Sequence, residues 1–297
     1  MRVCAIDVGT NTVNALVADV AGGGLTVVAE TEGFARLGEG VDAAGRLAPA
    51  AMDRAVALIG AAGELAAAHG AERTVIGATS ASRDAANVGE LRARVRRETG
   101  LDYAVISGED EARLCFAGAL AMLPGVDEAV VVDVGGGSTE VVAGARGEAP
   151  SFATSLDVGT VRLTERHGAV PPVTPETERA VRATVGAALA GVPAEVFARG
   201  ALVTTGSTAS VAQALMGGDW LSRGALAALR RELAALTPAA IRARDPARLS
   251  GRADVMVSAL LLLEGVLARA GAEGLRLSRG GLRHGLALRA AAPRSRA

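Results

Sequence analysis

Val132-Asp133-Val134-Gly135-Gly136-Gly137-Ser138-Thr139-Glu140 reads as a buried strand that ends in an acid and turns through three glycines and two hydroxyls. Val141-Val142 then begins a second apolar strand. An earlier stretch, Ile6-Asp7-Val8-Gly9-Thr10-Asn11-Thr12, has the same grammar. Such a turn offers backbone N–H groups and hydroxyls to phosphate oxygens, and its Asp is a hard oxygen ligand for a metal. Asp before Gly also makes ordinary turns. Two copies, each between apolar runs, predict a duplicated domain with a phosphate site between the copies.

Strands are expected at Arg2–Ile6, Thr12–Val20 and Leu25–Thr31 around the first loop, then a glycine-rich loop over Gly38–Gly45. Helical spacing of Met52, Val56 and Ile59 predicts a helix over Pro49–His69 that stops at Gly70. A strand at Arg73–Gly77, a helix over Asp84–Thr99 and a strand at Tyr103–Ile106 follow. Ser107-Gly108-Glu109-Asp110 resembles a capping box and opens a helix to Met122. Pro124-Gly125 punctuates the chain and marks the expected change of domain.

The opening then repeats, with strands at Ala129–Val134, Glu140–Gly144 and Ser151–Leu156. Helices are expected from Gly159 and from Thr174-Pro175, a strand at Leu202–Thr205, and a helix from Ser207. Arg252–Ala270 reads as a central buried helix, Arg276–Ser278 as a last strand, and Gly281 opens a terminal helix. Strand triplets followed by alternating helices and strands predict α/β with mixed sheets.

The 297 residues suffice for two domains, and half of them are hydrophobic, so a large core is available. Aromatics are only 2%, so Ala, Val and Leu must fill that core. All 31 basic residues are arginines, the mark of a GC-rich coding bias more than of chemistry. A net charge of −1, with few rings to stack bases, disfavours nucleic-acid binding. The arginine-containing tail, Arg289–Arg296, reads as a frayed end. Cys4 and Cys115 lie in apolar patterns and read as core residues. His69, His167 and His284 lack zinc-ligand spacing. The apolar run Val255–Leu263 is too short for a span, which takes about 20 residues. A soluble, cytoplasmic protein is expected, with no membrane contact.

Among the acids, Asp7 and Asp133 occupy equivalent places and suit Mg²⁺ or Mn²⁺. Glu140 shares a strand face with Ser138 and Val142, pointing to the loop side; a solvated edge charge is the plainer account. Glu109 has Arg113 one helical turn on, an ordinary surface pair. Glu111 instead aligns with Leu114, Cys115 and Gly118 and has no basic partner on that face. Burial there would raise its pKa and suit a general base. Arg83 follows a buried strand and suits either a phosphate oxygen or an ion pair with Asp84. Thr204-Thr205-Gly206-Ser207-Thr208 is a third hydroxyl–glycine turn, where the helix start could bind an anion or Ser207 simply cap it. Asp157-Val158-Gly159-Thr160 imitates the first loop but leads into a helix, and reads as structural.

These residues resemble the exopolyphosphatase / guanosine pentaphosphate phosphohydrolase family of the actin-like ATPase superfamily. The resemblance is carried by Ala5–Thr12, Ala78-Thr79-Ser80-Ala81-Ser82-Arg83, Ile106–Arg113, Asp133–Glu140, Val161–Glu165 and Gly280-Gly281-Leu282-Arg283-His284-Gly285, across almost the whole chain. Sugar kinases and chaperone ATPases share the loops but not the combination of Glu111-Ala112-Arg113 with Gly135–Glu140. The resemblance implies two ribonuclease H-like domains with a cleft between them. Domain I would span 1–123, with the terminal helix 282–297 returning to it, and domain II 124–281. It implies a cytoplasmic homodimer that hydrolyses terminal phosphoanhydride bonds of inorganic polyphosphate or guanosine pentaphosphate. Glu111 would be the base toward water, and Glu140 would help hold water or metal. Asp7, Asp133 and Glu140 would be the metal acids. Thr10, Asn11, Thr12, Arg83, Gly135, Gly136, Gly137, Ser138, Thr139, Gly206 and Ser207 would bind phosphate. Val13-Asn14 departs from the family's aromatic-His pair, Asp110 replaces a more usual Glu, and the chain ends before the helical C-terminal region many relatives carry. A phosphate or nucleotide sensor without activity is the reading from another functional class.

Overall fold

In the computed structural model, which describes residues 1–218 and 220–292, the chain begins with β1 (Arg2–Val8), β2 (Thr12–Ala21), β3 (Gly24–Phe34), α1 (Val41–Ala44) and α2 (Pro49–Ala68). It continues with β4 (Arg73–Ala78), α3 (Ser80–Asp84), α4 (Val88–Thr99), β5 (Tyr103–Val105) and α5 (Gly108–Ala121). Then come β6 (Glu128–Val134), β7 (Thr139–Ala145), β8 (Phe152–Leu156), α6 (Thr160–His167) and α7 (Pro175–Ala190). A 3₁₀ turn (Ala194–Ala198), β9 (Ala201–Thr205), α8 (Ser207–Met216), β10 (Trp220–Ser222), α9 (Arg223–Ala234), α10 (Pro238–Arg244) and α11 (Pro246–Leu249) follow. The chain closes with α12 (Met256–Ala270), β11 (Gly274–Leu277) and α13 (Leu282–Ala291). Two compact units result: Met1–Pro124 with the segment from Gly280, and Gly125–Arg279. No helix among the described residues is long and apolar enough to cross a membrane.

The first unit holds a five-stranded sheet in the order β3-β2-β1-β4-β5. β1, β2 and β3 form an antiparallel meander, while β4 and β5 run parallel to β1. Period-two alternation splits the strands between two cores. Cys4, Ile6, Val13, Ala15 and Val17 pack with α2 and α4 residues such as Ile59 and Leu91. Val3, Ala5, Leu16 and Ala18 pack on the other side with Leu114 and Cys115 of α5 and Leu286 and Ala287 of α13. α5 and α13 cross backbone to backbone. A Cβ at Gly118 would sit 2.1 Å from the Gly281 carbonyl oxygen, and one at Gly285 would sit 2.0 Å from that of Leu114. Only glycine allows that approach.

The second unit repeats the plan. Its sheet runs β10-β11-β9-β6-β7-β8, so β6, β7, β8, β9 and β11 stand in the arrangement of β1 to β5, with β10 added at the edge. Val130, Val132, Val134, Val141 and Ala143 form one core with α7, α9 and the almost wholly buried α12. A buried ion network ties those three helices. Arg230 Nε lies 2.9 Å from Glu264, its Nη1 lies 2.6 Å from Glu178, and Arg182 also pairs with Glu264.

Several elements differ from expectation. The helix expected over Asp84–Thr99 starts only at Val88, and a separate short helix ends at Asp84; Asn87 between them bonds the Leu47 backbone in both directions (2.8 and 3.1 Å). β3 runs on to Phe34, and α12 starts at Met256, after a turn at Arg252–Val255. Residues 217–251, unassigned in the sequence reading, carry β10 and α9 to α11. Helix α13 continues through Ala291, so the expected frayed tail is helical at Arg289; from residue 293 it lies outside the described residues.

Two predictions follow from α13. Gly285→Ala forces α5 and α13 apart and should lower stability by about 1–3 kcal/mol in urea unfolding. His284 is buried and accepts a hydrogen bond at Nδ1 from the Gly281 N–H (3.2 Å); burial, helped by Arg283, lowers its pKa to about 4. The unfolded chain takes up that proton near pH 6.5 and the folded chain does not. This contribution is therefore present above about pH 6.5 and is lost as pH falls toward 4, a change on the order of 3 kcal/mol. In His284→Asn, stability measured between pH 7 and pH 4 should fall less steeply by that amount.

Candidate active site

In the first unit the parallel strands end together. The Thr79 N–H bonds the Val8 carbonyl (3.1 Å), and the Ile106 N–H bonds that of Ala78 (3.0 Å). The first loop, α3 and the start of α5 therefore leave from one edge of the sheet, the edge where α/β folds hold ligands. Asp7 lies on the same side as Val3 and Ala5, directly opposite Asn14 of β2. Asn14 Nδ2 donates to Thr12 Oγ1 (3.0 Å), while its Oδ1 is buried without a hydrogen-bond partner. The loop is held from behind by residues 36–38: the Gly38 N–H bonds the Thr10 carbonyl and the Arg36 N–H that of Asn11, both at 2.8 Å.

Arg83 and Glu111 meet. Arg83 Nη1 lies 2.5 Å from Glu111 Oε2 and 3.3 Å from the Ile106 carbonyl. Glu111 is only 6% exposed. The basic partner of Glu111 comes from α3 and not from its own helix face, where none is expected. The ion pair favours the ionised carboxylate and so opposes the effect of burial on which the expected pKa rise rested. The alternative pairing of Arg83 with Asp84 is not the one found; Asp84 accepts from the Ser80 hydroxyl (3.3 Å). The α3 turn is fixed by the buried Ser82–Tyr103 hydroxyl pair at 2.7 Å. Glu109 makes the expected surface pair with Arg113 (2.6 Å), and the Ser107 hydroxyl caps α5 by accepting from the Asp110 N–H.

In the second unit the glycine loop lies against the start of α6. The Gly135 carbonyl accepts from the Thr160 N–H, that of Gly136 from Val161 and Arg162, and that of Gly137 from Arg162 Nε, at 2.8–3.2 Å. In a planar trans peptide the N–H points opposite to the C=O. The N–H groups of Gly136, Gly137 and Ser138 therefore point away from α6, three successive donors on one side. Asp157-Val158-Gly159-Thr160 is thus a structural segment that supplies the start of α6, and the Thr139 hydroxyl bonds its Val158 carbonyl (2.6 Å).

Across this sheet Ser155, Glu140, Asp133 and Thr205 stand in one row, each opposite the next. Glu140 is 1% exposed and accepts from Ser155 Oγ at 2.7 Å, so it is no solvated edge charge. Gly206, at φ +95°, lies so close to Asp133 that a Cβ would sit 2.7 Å from Oδ1. Gly206 is the N-cap of α8 and Ser207 its first residue, with no side-chain cap, so capping by Ser207 is not the role found. Asp7, Thr10, Asn11, Thr12, Arg83 and Glu111 thus belong to the first unit, and Asp133, Gly135–Glu140, Gly206 and Ser207 to the second.

The profile of the Ppx/GppA phosphatase family matches residues 16–292. The chain belongs to that family. Exopolyphosphatase 2 of Mycobacterium tuberculosis is 42% identical over 210 residues, 66% of this chain and 65% of that protein, a little under two thirds of its length. Exopolyphosphatase 1 of Mycobacterium bovis is 32% identical over 306 residues, 97% of this chain and 88% of that protein. A crystal structure of the Aquifex aeolicus Ppx/GppA family member superposes with a TM-score of 0.77 at 27% identity, covering 98% of this chain and 97% of that one. The family resemblance read from the sequence is borne out, and the two sheets are those of two actin-like ATPase domains.

Sequence reasoning missed Ser155, Tyr103 and the partner of Glu111. Each depends on strand register or on a contact between separate elements, which the spacing of apolar residues does not carry.

The Arg83–Glu111 pair gives a test independent of activity. Arg83→Met leaves a buried carboxylate without its cation and should cost roughly 2–3 kcal/mol, less than a fully buried pair because Arg83 is partly exposed. Adding Glu111→Gln should restore most of that loss in a double-mutant cycle read by urea unfolding.

Proposed function

We propose that the chain hydrolyses phosphoanhydride bonds and releases orthophosphate from the ends of inorganic polyphosphate. The observation that carries the reading is the buried Glu111 beside Arg83 at the edge where the strands of the first unit end. A carboxylate that takes a proton from water and a guanidinium that neutralises a phosphoryl oxygen are the two groups this reaction needs from side chains. The exopolyphosphatase relatives support the substrate. Water attacks the terminal phosphorus as Glu111 accepts its proton. The bridging oxygen leaves with the shortened chain, while Arg83 balances charge on the phosphoryl oxygens. In the first unit the hydroxyls of Thr10 and Thr12 and the Asn11 amide would bind phosphate; in the second unit the N–H groups of Gly136, Gly137 and Ser138, the hydroxyls of Ser138, Thr139 and Ser207 and the Gly206 turn would do so.

The residues present fit a hard divalent cation. Asp133 and Glu140 face each other in register, two hard carboxylates on one face of the sheet. Asn14 Oδ1 is an unsatisfied buried acceptor opposite Asp7. Among the described residues no group of three or more His, Cys, Asp or Glu is placed to hold a metal ion. Mg²⁺ and Mn²⁺ take one or two carboxylates and fill the rest of the shell with water and phosphate. Within the second unit Asp133 and Glu140 would hold it, and when bound it would withdraw charge from the phosphoryl oxygens.

Guanosine pentaphosphate is the second substrate in view, since the family takes its name from both activities. With 2% aromatic residues and Tyr103 buried, few rings remain to stack on guanine, the half-exposed Trp220 among them, which favours polyphosphate. Glu111→Gln should keep the fold and lose at least about 100-fold in phosphate release from polyphosphate. Near-normal turnover would remove Glu111 from the reaction. Equal or faster turnover of guanosine pentaphosphate by the unaltered protein would reverse the substrate order. Ligand binding without phosphate release under Mg²⁺ and Mn²⁺ would make the protein a sensor.

A further inference from the structure

We infer that Ser155 is a positioning residue for Glu140. The inference rests on the reading above, in which Glu140 helps to hold the divalent cation.

Three facts of geometry carry it. Ser155 of β8 stands directly opposite Glu140 of β7, and Glu140 directly opposite Asp133 of β6, so the three side chains share one face of the sheet. Glu140 is 1% exposed, so its orientation is set by protein groups and not by bulk water. Ser155 Oγ donates to Glu140 Oε1 at 2.7 Å, a charge-assisted bond of good length. A glutamate side chain has three rotatable bonds, and a donor fixed on the adjacent strand removes rotation about the last of them. Partners that hydrogen-bond a ligating carboxylate govern affinity almost as the ligands do, and their loss typically costs 10–100-fold in metal affinity or activity.

The hydroxyl also has a plainer possible use, satisfying a buried carboxylate and so holding the β7–β8 edge. The two roles separate in measurement. A purely structural hydroxyl changes melting temperature and leaves metal affinity alone. A positioning hydroxyl changes metal affinity at nearly constant melting temperature, and threonine, which keeps the Oγ, rescues it.

The experiment measures Mn²⁺ affinity by electron paramagnetic resonance of free Mn²⁺, together with Mg²⁺-dependent phosphate release, in the full chain and in Ser155→Ala, Ser155→Thr and Glu140→Gln. The expected result is Mn²⁺ affinity about tenfold weaker in Ser155→Ala. kcat should be reduced at fixed Mg²⁺ with KM for polyphosphate little changed, and Ser155→Thr should lie near the parent. If Glu140→Gln weakens Mn²⁺ binding while Ser155→Ala does not, Ser155 has no positioning role and the metal assignment of Glu140 stands. If Glu140→Gln leaves Mn²⁺ binding unchanged, the metal assignment falls and the inference falls with it. If Ser155→Ala melts much earlier and Ser155→Thr restores the melting temperature but not the affinity, the role is structural and the inference is overturned.

Discussion

Strand register is the constraint on which the polar chemistry of this chain depends. Side chains alternate with a period of two, so a slip of one residue between β6, β7 and β8 would exchange the two faces. The row of Asp133, Glu140 and Ser155 would then be broken, and Val132, Val134 and Val141 would leave the core they share with α7, α9 and α12. The apolar face forbids the slip. Val130, Val132, Val134 and Val141 are buried on one core, and each contributes roughly 1.5–3 kcal/mol by its burial. The same logic holds Asp7 opposite Asn14 in the first unit, with Ile6 and Ala15 on the opposite core. The hydrophobic pattern thus aims the acids, although none of the acids takes part in it.

Buried charge is handled differently in each place. In the second unit Arg230, Arg182, Glu178 and Glu264 neutralise one another between helices, and the network is complete in itself. At Arg83 and Glu111 one cation meets one anion at the end of a sheet, where a phosphate oxygen could compete for the guanidinium. At Asp133 and Glu140 two acids face each other, and the Ser155 hydroxyl answers only one of them. His284 is kept uncharged instead, an arrangement that works only above the pH at which the unfolded chain begins to take up the proton. The first arrangement closes the charge account between helices. The second and third lie at the ends and across the rows of the sheets, where the proposed chemistry is placed, and not between helices.

Much of this was legible in the sequence because it is local. Asp-Gly turns after apolar runs, the Ser107 cap and the apolar spacing of α2 and α12 each lie within a few residues of chain, and the duplicated strand order follows from the repeated loop. The breaks are non-local. Asn87, between α3 and α4, bonds the backbone of the distant Leu47, and Glu111 finds Arg83 across two elements. Helices α10 and α11 are an exception: Thr237-Pro238 and Asp245-Pro246 are local start signals, and both side chains do cap. Those signals were present and went unread because the apolar spacing after them is short.

The Asp157–Thr160 segment shows where the line between structure and function bends. It reads as structural in the sequence, and in the fold it is the start of α6. Yet its amides, with Arg162, take the carbonyls of Gly135, Gly136 and Gly137, and this turns the opposite N–H groups outward. Three glycines alone specify no direction, since their backbones turn freely. The direction comes from a helix terminus that would itself attract an anion if the loop did not occupy it. The outward direction of the second loop's amides therefore depends on the start of α6, and a change at Arg162 would release the Gly137 carbonyl and disturb that direction without touching the loop's own residues.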